Sequence, residues 1–250
     1  MIRSILLNHV AWLVAMLWFA PDSPAADAAR SPLRIVVIGD STVCEYPANR
    51  PDRGWGQYIG EYFKPGTVKV INLAKPGRST KTFIQEGRWK MALEETPDYV
   101  LIQFGHNDSH APDLPESTDA ATDYKDNLRR YIDESRAIGA TPVLITPMVR
   151  RTFDGHRMIT ESQPPPNRPL SSYAEAMKDV ADEKKVPVID LYASSKKLME
   201  KLGPARSQKL ANKQADPTHF NEKGAKSMAD LVMEDLPSAV PALNKFLKHR

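Results

Sequence analysis

Apolar residues along the chain fall into two kinds of run. The first is short, continuous and rich in Val, Ile and Leu: Leu33 to Gly39 (LRIVVIG), Val68 to Leu73, Tyr99 to Phe104, Thr141 to Thr146 and Val186 to Leu191, each bounded by Gly, Pro or Asp. Such runs predict strands buried on both faces. The second kind repeats every three to four residues. Ala120 to Ile138 places Tyr124, Leu128, Tyr131 and Ile132 on one face, and Ser172 to Lys184 does the same with Tyr173, Met177, Val180 and Ala181, so both predict helices. Further helices are expected over Gly224 to Asp235 and near Ala239 to Lys248. Strand and helix in alternation imply right-handed crossovers and a parallel sheet covered on both sides, a three-layer α/β/α sandwich. Sheets of this kind bind ligands at the carboxyl ends of their strands. The long segment from Met148 to Leu170, with the Pro-rich stretch Gln163 to Pro169, should hang over that same edge, because it leaves the fourth strand.

The beginning of the chain departs from both patterns. Arg3 precedes a mostly apolar stretch from Ile5 to Ala20, and small residues follow through Ala26-Asp27-Ala28. That layout is a secretory signal peptide with an A-x-A cleavage site. Asn8 and His9 interrupt a run already shorter than the roughly 20 apolar residues of a membrane span. Residues 1–28 are therefore expected to be removed, leaving one domain over residues 29–250 that is secreted or periplasmic and has no stable membrane association. An apolar fraction of 41% with 26% charged residues suits one ordinary α/β domain, and a monomer is expected. The net charge of +3 is spread without a dense basic block, which leaves no nucleic-acid footprint. The single Cys44 has no partner for an internal disulfide and reads as packing.

Chemistry enters at the strand ends. Ser41, in Gly39-Asp40-Ser41-Thr42, follows the first strand directly. A serine hydroxyl needs a base to take its proton, and the base needs an acid to hold its tautomer. Asp216-Pro217-Thr218-His219 supplies both, three residues apart on a turn that Pro217 stiffens. An oxyanion hole could be assembled from the Ser41 N–H, the Gly77 N–H after the second strand and the Asn107 amide after the third. One Gly-Asp-Ser alone would be an ordinary turn; several blocks in order, each beside a predicted strand, are much harder to obtain by chance.

Gly39-Asp40-Ser41, Gly77, Gly105-His106-Asn107-Asp108 and Asp216-Pro217-Thr218-His219 resemble four blocks of the SGNH (GDSL-like) hydrolases in their usual order. Within that superfamily, Gly39-Asp40-Ser41-Thr42-Val43, Gly77-Arg78-Ser79, Glu86-Gly87-Arg88-Trp89 and Asp216-Pro217-Thr218-His219-Phe220 are similar to the rhamnogalacturonan acetylesterases, and Thr42 stands where that subgroup usually has Thr. The resemblance implies a flavodoxin-like five-stranded sheet, a Ser-His-Asp acyl-enzyme mechanism without cofactor or metal, and removal of acetyl groups from a pectin-type polysaccharide. Other acetylated glycans such as xylan, a small lipid ester, or a silent carbohydrate-binding relative are the competing expectations.

The remaining polar residues carry weaker expectations. Ser79 reads as a helix N-cap, and Asp40 and Asp108 as turn braces. His106, Asp108 and His110 alternate, a spacing that could ligate a metal, but the nucleophile constellation already accounts for that segment. Glu86-Gly87-Arg88-Trp89 reads as a helix end with Trp89 in the core. Arg78, Arg88 and His106 are the candidate substrate contacts. Arg150, Arg151 and Arg157 read as a solvated loop face that would also suit the carboxylates of a galacturonate polymer.

Overall fold

The computed structural model describes residues 32–159 and 167–248, so the leader expected over residues 1–28 lies outside the described residues, as does most of the Pro-rich stretch. Five strands, β1 (Leu33–Gly39), β2 (Val68–Asn72), β3 (Tyr99–Gln103), β4 (Thr141–Ile145) and a short fifth over Val188–Ile189, form one sheet in the order second, first, third, fourth, fifth. Every pair is parallel. This is the flavodoxin-like order, in which the winding reverses between β1 and β3, and ligands sit at the carboxyl ends beside that reversal.

The period of two in a strand sorts the core into two layers. Ile35, Val37, Leu101, Val143 and Ile145 pack on one side with Met228, Val232 and Leu236. Val36, Ile38, Val100, Ile102 and Leu144 pack on the other with Phe83, Trp89, Tyr124, Tyr131 and Tyr173. The helices α1 (Thr80–Gln85), α2 (Arg88–Glu94), α3 (Asp123–Ala137) and α4 (Leu170–Lys184) supply that second layer; α5 (Leu191–Gln208) and α6 (Glu222–Ala239) supply the first. Ser79 caps α1, its hydroxyl accepting from the Thr82 N–H, and Trp89 is buried in α2.

Three elements differ from the sequence pattern. The fifth strand is cut to two residues because Asp190 already caps α5, its carboxylate accepting from the Ala193 N–H. The stretch expected as a last helix is a 3₁₀ turn over Pro241–Phe246, since α6 runs on to Ala239 and Val240 breaks out of helical geometry before Pro241. Within the segment after Met148, β5 (Phe153–Asp154) and β6 (Arg157–Met158) pair as a hairpin; the last strand is hereafter β7. Arg150 and Arg151 are not a solvated face: each is only 8% exposed. Arg157 does lie exposed. Among the described residues, no helix is long and apolar enough to cross a membrane.

Candidate active site

Ser41 owes its position to a turn that only a narrow backbone permits. A Cβ on Gly39 would lie 2.6 Å from both the Gln103 carbonyl and a Val43 methyl, so the chain can turn tightly out of β1 only with glycine there. Asp40 then braces the bend: its Oδ1 accepts from the Thr42 N–H at 2.8 Å and the Thr42 hydroxyl at 2.7 Å. Tyr46 adds a hydrogen bond from its hydroxyl to the Ser41 carbonyl at 2.9 Å. Cys44 is packed beneath, and burial pushes its thiol up to about 12, which leaves it inert.

The base arrives from the loop between α5 and α6. His219 Nε2 lies 2.9 Å from Ser41 Oγ, and His219 Nδ1 lies 3.0 Å from Asp216 Oδ2. The other Asp216 oxygen accepts from the Thr218 and His219 N–H groups, each at 2.8 Å. Burial would raise the Asp216 pKa, but these bonds and the imidazole outweigh it and hold the carboxyl below its ordinary value. An ionised Asp216 fixes the imidazole proton on Nδ1, which turns the lone pair of Nε2 toward the Ser41 hydroxyl.

The expected donors line the same cleft as the imidazole. Gly77 has φ of +77°, a left-handed conformation suited to glycine, with open space where a side chain would be. Among the described residues, neither the Ser41 N–H nor the Gly77 N–H donates to a protein acceptor. Asn107 donates from Nδ2 to the Arg78 carbonyl at 3.0 Å, which anchors the amide and leaves its second hydrogen available. Ser41, Gly77, Asn107, Asp216 and His219 line one cleft of about 470 Å³, with Tyr46, Arg50, Asp52, Asn212 and Lys213 on its walls. A second cleft of the same size, lined by Glu61, Tyr62 and Met233 among others, contains no nucleophile and base.

None of the three residues expected as substrate contacts lines this cleft. Arg78 and Arg88 both pair with Glu86, at 3.0 and 2.5 Å, and neither lines the cleft. His106 is 3% exposed and faces inward, with Nδ1 3.3 Å from Asp40 Oδ2 and Nε2 3.0 Å from the Met148 carbonyl. Burial would raise the Asp40 pKa, yet His106 and the Thr42 donors keep it below its ordinary value. The alternation of His106, Asp108 and His110 does not converge on a metal. His106 faces Asp40, Asp108 accepts from Thr80 and Thr118, and His110 pairs with Glu116 at 2.7 Å.

Comparison with known proteins follows the same lines. Residues 37–226 match the model of the GDSL-like lipase/acylhydrolase family. The chain belongs to that family. A rhamnogalacturonan acetylesterase of Bacillus subtilis is 39% identical over 222 residues, covering 83% of this chain and 90% of that protein. A crystal structure of another B. subtilis protein superposes with a TM-score of 0.70 at 29% identity, covering 83% of this chain; the chain spans only 56% of that longer one. An acetylxylan esterase from Geobacillus stearothermophilus shares the fold, with a TM-score of 0.64 at 21% identity over 82% of this chain and 94% of that one. This family member is thus a serine esterase with the fold of the SGNH hydrolases.

Proposed function

We propose that the chain is a carbohydrate acetylesterase that removes acetyl groups from a pectin-type polysaccharide through a Ser41, His219 and Asp216 relay. The observation that carries this reading is the unbroken sequence of contacts from Asp216 through His219 to Ser41, 3.0 and 2.9 Å, at the edge of a cleft that also holds two uncommitted backbone N–H groups. The similarity to a rhamnogalacturonan acetylesterase over most of both chains supports the choice of polymer.

The steps follow from the geometry. Ser41 Oγ forms a bond to the acetyl carbonyl carbon while its proton passes to His219 Nε2, and the carbonyl electron pair moves onto oxygen. The Ser41 and Gly77 N–H groups and the Asn107 amide hold that oxyanion, where each donor contributes on the order of 10² to 10³ in rate. Collapse breaks the bond to the sugar oxygen, which takes the proton from His219. Water then repeats the sequence on the acetyl-serine and frees acetate. Residues 1–28 support export, and the relay is complete within one chain, which suits a monomer acting outside the cytoplasm.

The test is acetate release by the purified protein from acetylated rhamnogalacturonan, acetylated xylan and p-nitrophenyl esters of acetate and octanoate. Release from the first polymer should exceed that from xylan, and S41A should lose at least about 10³-fold on every substrate. Full activity of S41A would overturn the relay; preference for xylan or octanoate would overturn the substrate.

A further inference from the structure

Arg150 and Arg151 leave β4 side by side, yet each holds a different loop of the site. Arg150 Nη2 donates to the His106 carbonyl at 3.0 Å and to Ser109 Oγ at 3.2 Å, on either side of Asn107. Arg151 Nη2 donates to the Asp216 carbonyl at 2.9 Å and to the His219 carbonyl at 2.6 Å, while its backbone N–H donates to the Pro217 carbonyl at 2.8 Å. The guanidinium also lies over the Phe220 ring, 4.2 Å from its centroid. Arg151 therefore contacts the carbonyls of three of the four residues from Asp216 to His219.

That loop has reason to need an external grip. Ala215, directly before Asp216, has φ of +60°, a left-handed conformation that a residue with a side chain adopts only at a cost. The Asp216 carbonyl accepts no hydrogen bond from the described residues other than that of Arg151. Burying two guanidiniums is itself costly, and burial lowers both to about 10. A pair of ordinary solvated arginines would not carry that cost, and a lysine at 151 would lose the planar face that the guanidinium lays over the Phe220 ring.

We propose that Arg150 and Arg151 are positioning residues that act as one clamp, fixing the Asn107 loop with one side chain and the Asp216 to His219 loop with the other. The clamp sets the separation between the oxyanion donor and the imidazole. It reaches the chemistry only through those two loops, so it rests on the relay proposed above, and its signature is dependence on His219.

The experiment is a double-mutant cycle on p-nitrophenyl acetate with R151M, H219A and the combination, each variant checked by its melting transition. R151M should lower kcat about 10- to 100-fold, the range expected when a catalytic group is misplaced by about an ångström, with KM within about twofold. In the H219A background the same substitution should change kcat less than about twofold, because the group it positions is gone. Equal losses in both backgrounds, or R151M activity within about twofold of the parent, would overturn the clamp. Full activity of H219A alone would instead overturn the relay, so the two failures are distinguishable. If R151M does not fold, R151K keeps the buried charge and is put through the same cycle, with a loss of about tenfold expected only where His219 is present.

Discussion

Asp40 and Asp108 follow the adjacent strands β1 and β3, are both fully buried, and behave in opposite ways. Asp40 faces His106, and its pKa is lowered; Asp108 has only hydroxyl and amide donors, and burial raises it to about 7. A carboxyl whose folded pKa exceeds its ordinary 3.8 binds its proton more tightly in the folded state, so stability is greatest below about pH 4 and falls as the pH rises to about 7. Asp40 and Asp216 act in the other sense, their contribution being present above pH 3.8 and lost below it, so the windows do not overlap. D108N keeps Oδ1, which accepts from the Thr80 N–H, the Thr80 hydroxyl and the Thr118 hydroxyl. Urea unfolding of D108N between pH 4.5 and 7.5 should lose this downward slope, which spans about 4 kcal/mol in the parent over the full window; a slope equal to the parent's would refute the assignment. Such residues also mark what a sequence conceals. Ser41, Gly77 and Asn107 stand out in the sequence because each follows a predicted strand, and Asp216 and His219 because they lie three residues apart near the C-terminus; the fold brings all five to one cleft. The inward turn of His106 and the burial of Arg150 and Arg151 depend on neighbours more than 30 positions away, and no local spacing encodes them.

At the scale of elements, periodicity located the strands and the amphipathic helices well and failed where composition masks the buried stripe. The long helix α5 buries Leu191, Ser195 and Met199 at a spacing of four, but one of these is serine, the helix carries several lysines, and it kinks at Gly203 and Pro204. Its apolar face, Leu191, Tyr192, Leu198, Met199 and Leu202, is interrupted at Ser195, where the stripe lacks an apolar side chain. The turn into α6 was legible only in part. Asn221 caps α6, accepting from the Gly224 N–H at 3.0 Å, and its amide donates to the Lys209 and Ala211 carbonyls at 2.8 and 3.0 Å. One side chain thus ties the start of α6 to the end of α5, two residues after His219. N221A should lower the unfolding free energy by about 2 kcal/mol, from the lost cap and two lost bonds, whereas N221D should lose less because it keeps the capping oxygen. Denaturation midpoints at constant slope decide the matter; equal midpoints for the two variants would show that the capping oxygen contributes nothing, and an N221D midpoint equal to the parent's that the donors contribute nothing.

The whole molecule places its chemistry on the part of the sheet least able to open. β1 and β3 lie inside the sheet with parallel neighbours on both sides, and Ile35 to Ile38 and Val100 to Ile102 are fully buried. β2 is an edge strand of half-buried residues with one exposed position, and β7 contributes two residues at the other edge. Ser41 and Asn107 follow the two interior strands, while Gly77 follows the edge strand β2. Local opening is cheapest where few apolar contacts are lost, so exchange of amide hydrogens should be graded across the sheet. The amides of residues 35–38 and 100–103 are expected to exchange only through global unfolding, with free energies equal to that from urea denaturation. Those of Val68–Asn72 should open at free energies lower by about 1 to 3 kcal/mol, in the range typical of sub-global openings. The segment Asp216 to His219 should open more cheaply still, since it is held by side chains and a few isolated backbone bonds rather than by a continuous ladder. R151M should raise its exchange further and leave that of β1 and β3 unchanged relative to global stability. If β1 exchanged as readily as β2, the nucleophile would not rest on the rigid unit, and the close spacing of Ser41 and His219 would need another source of order.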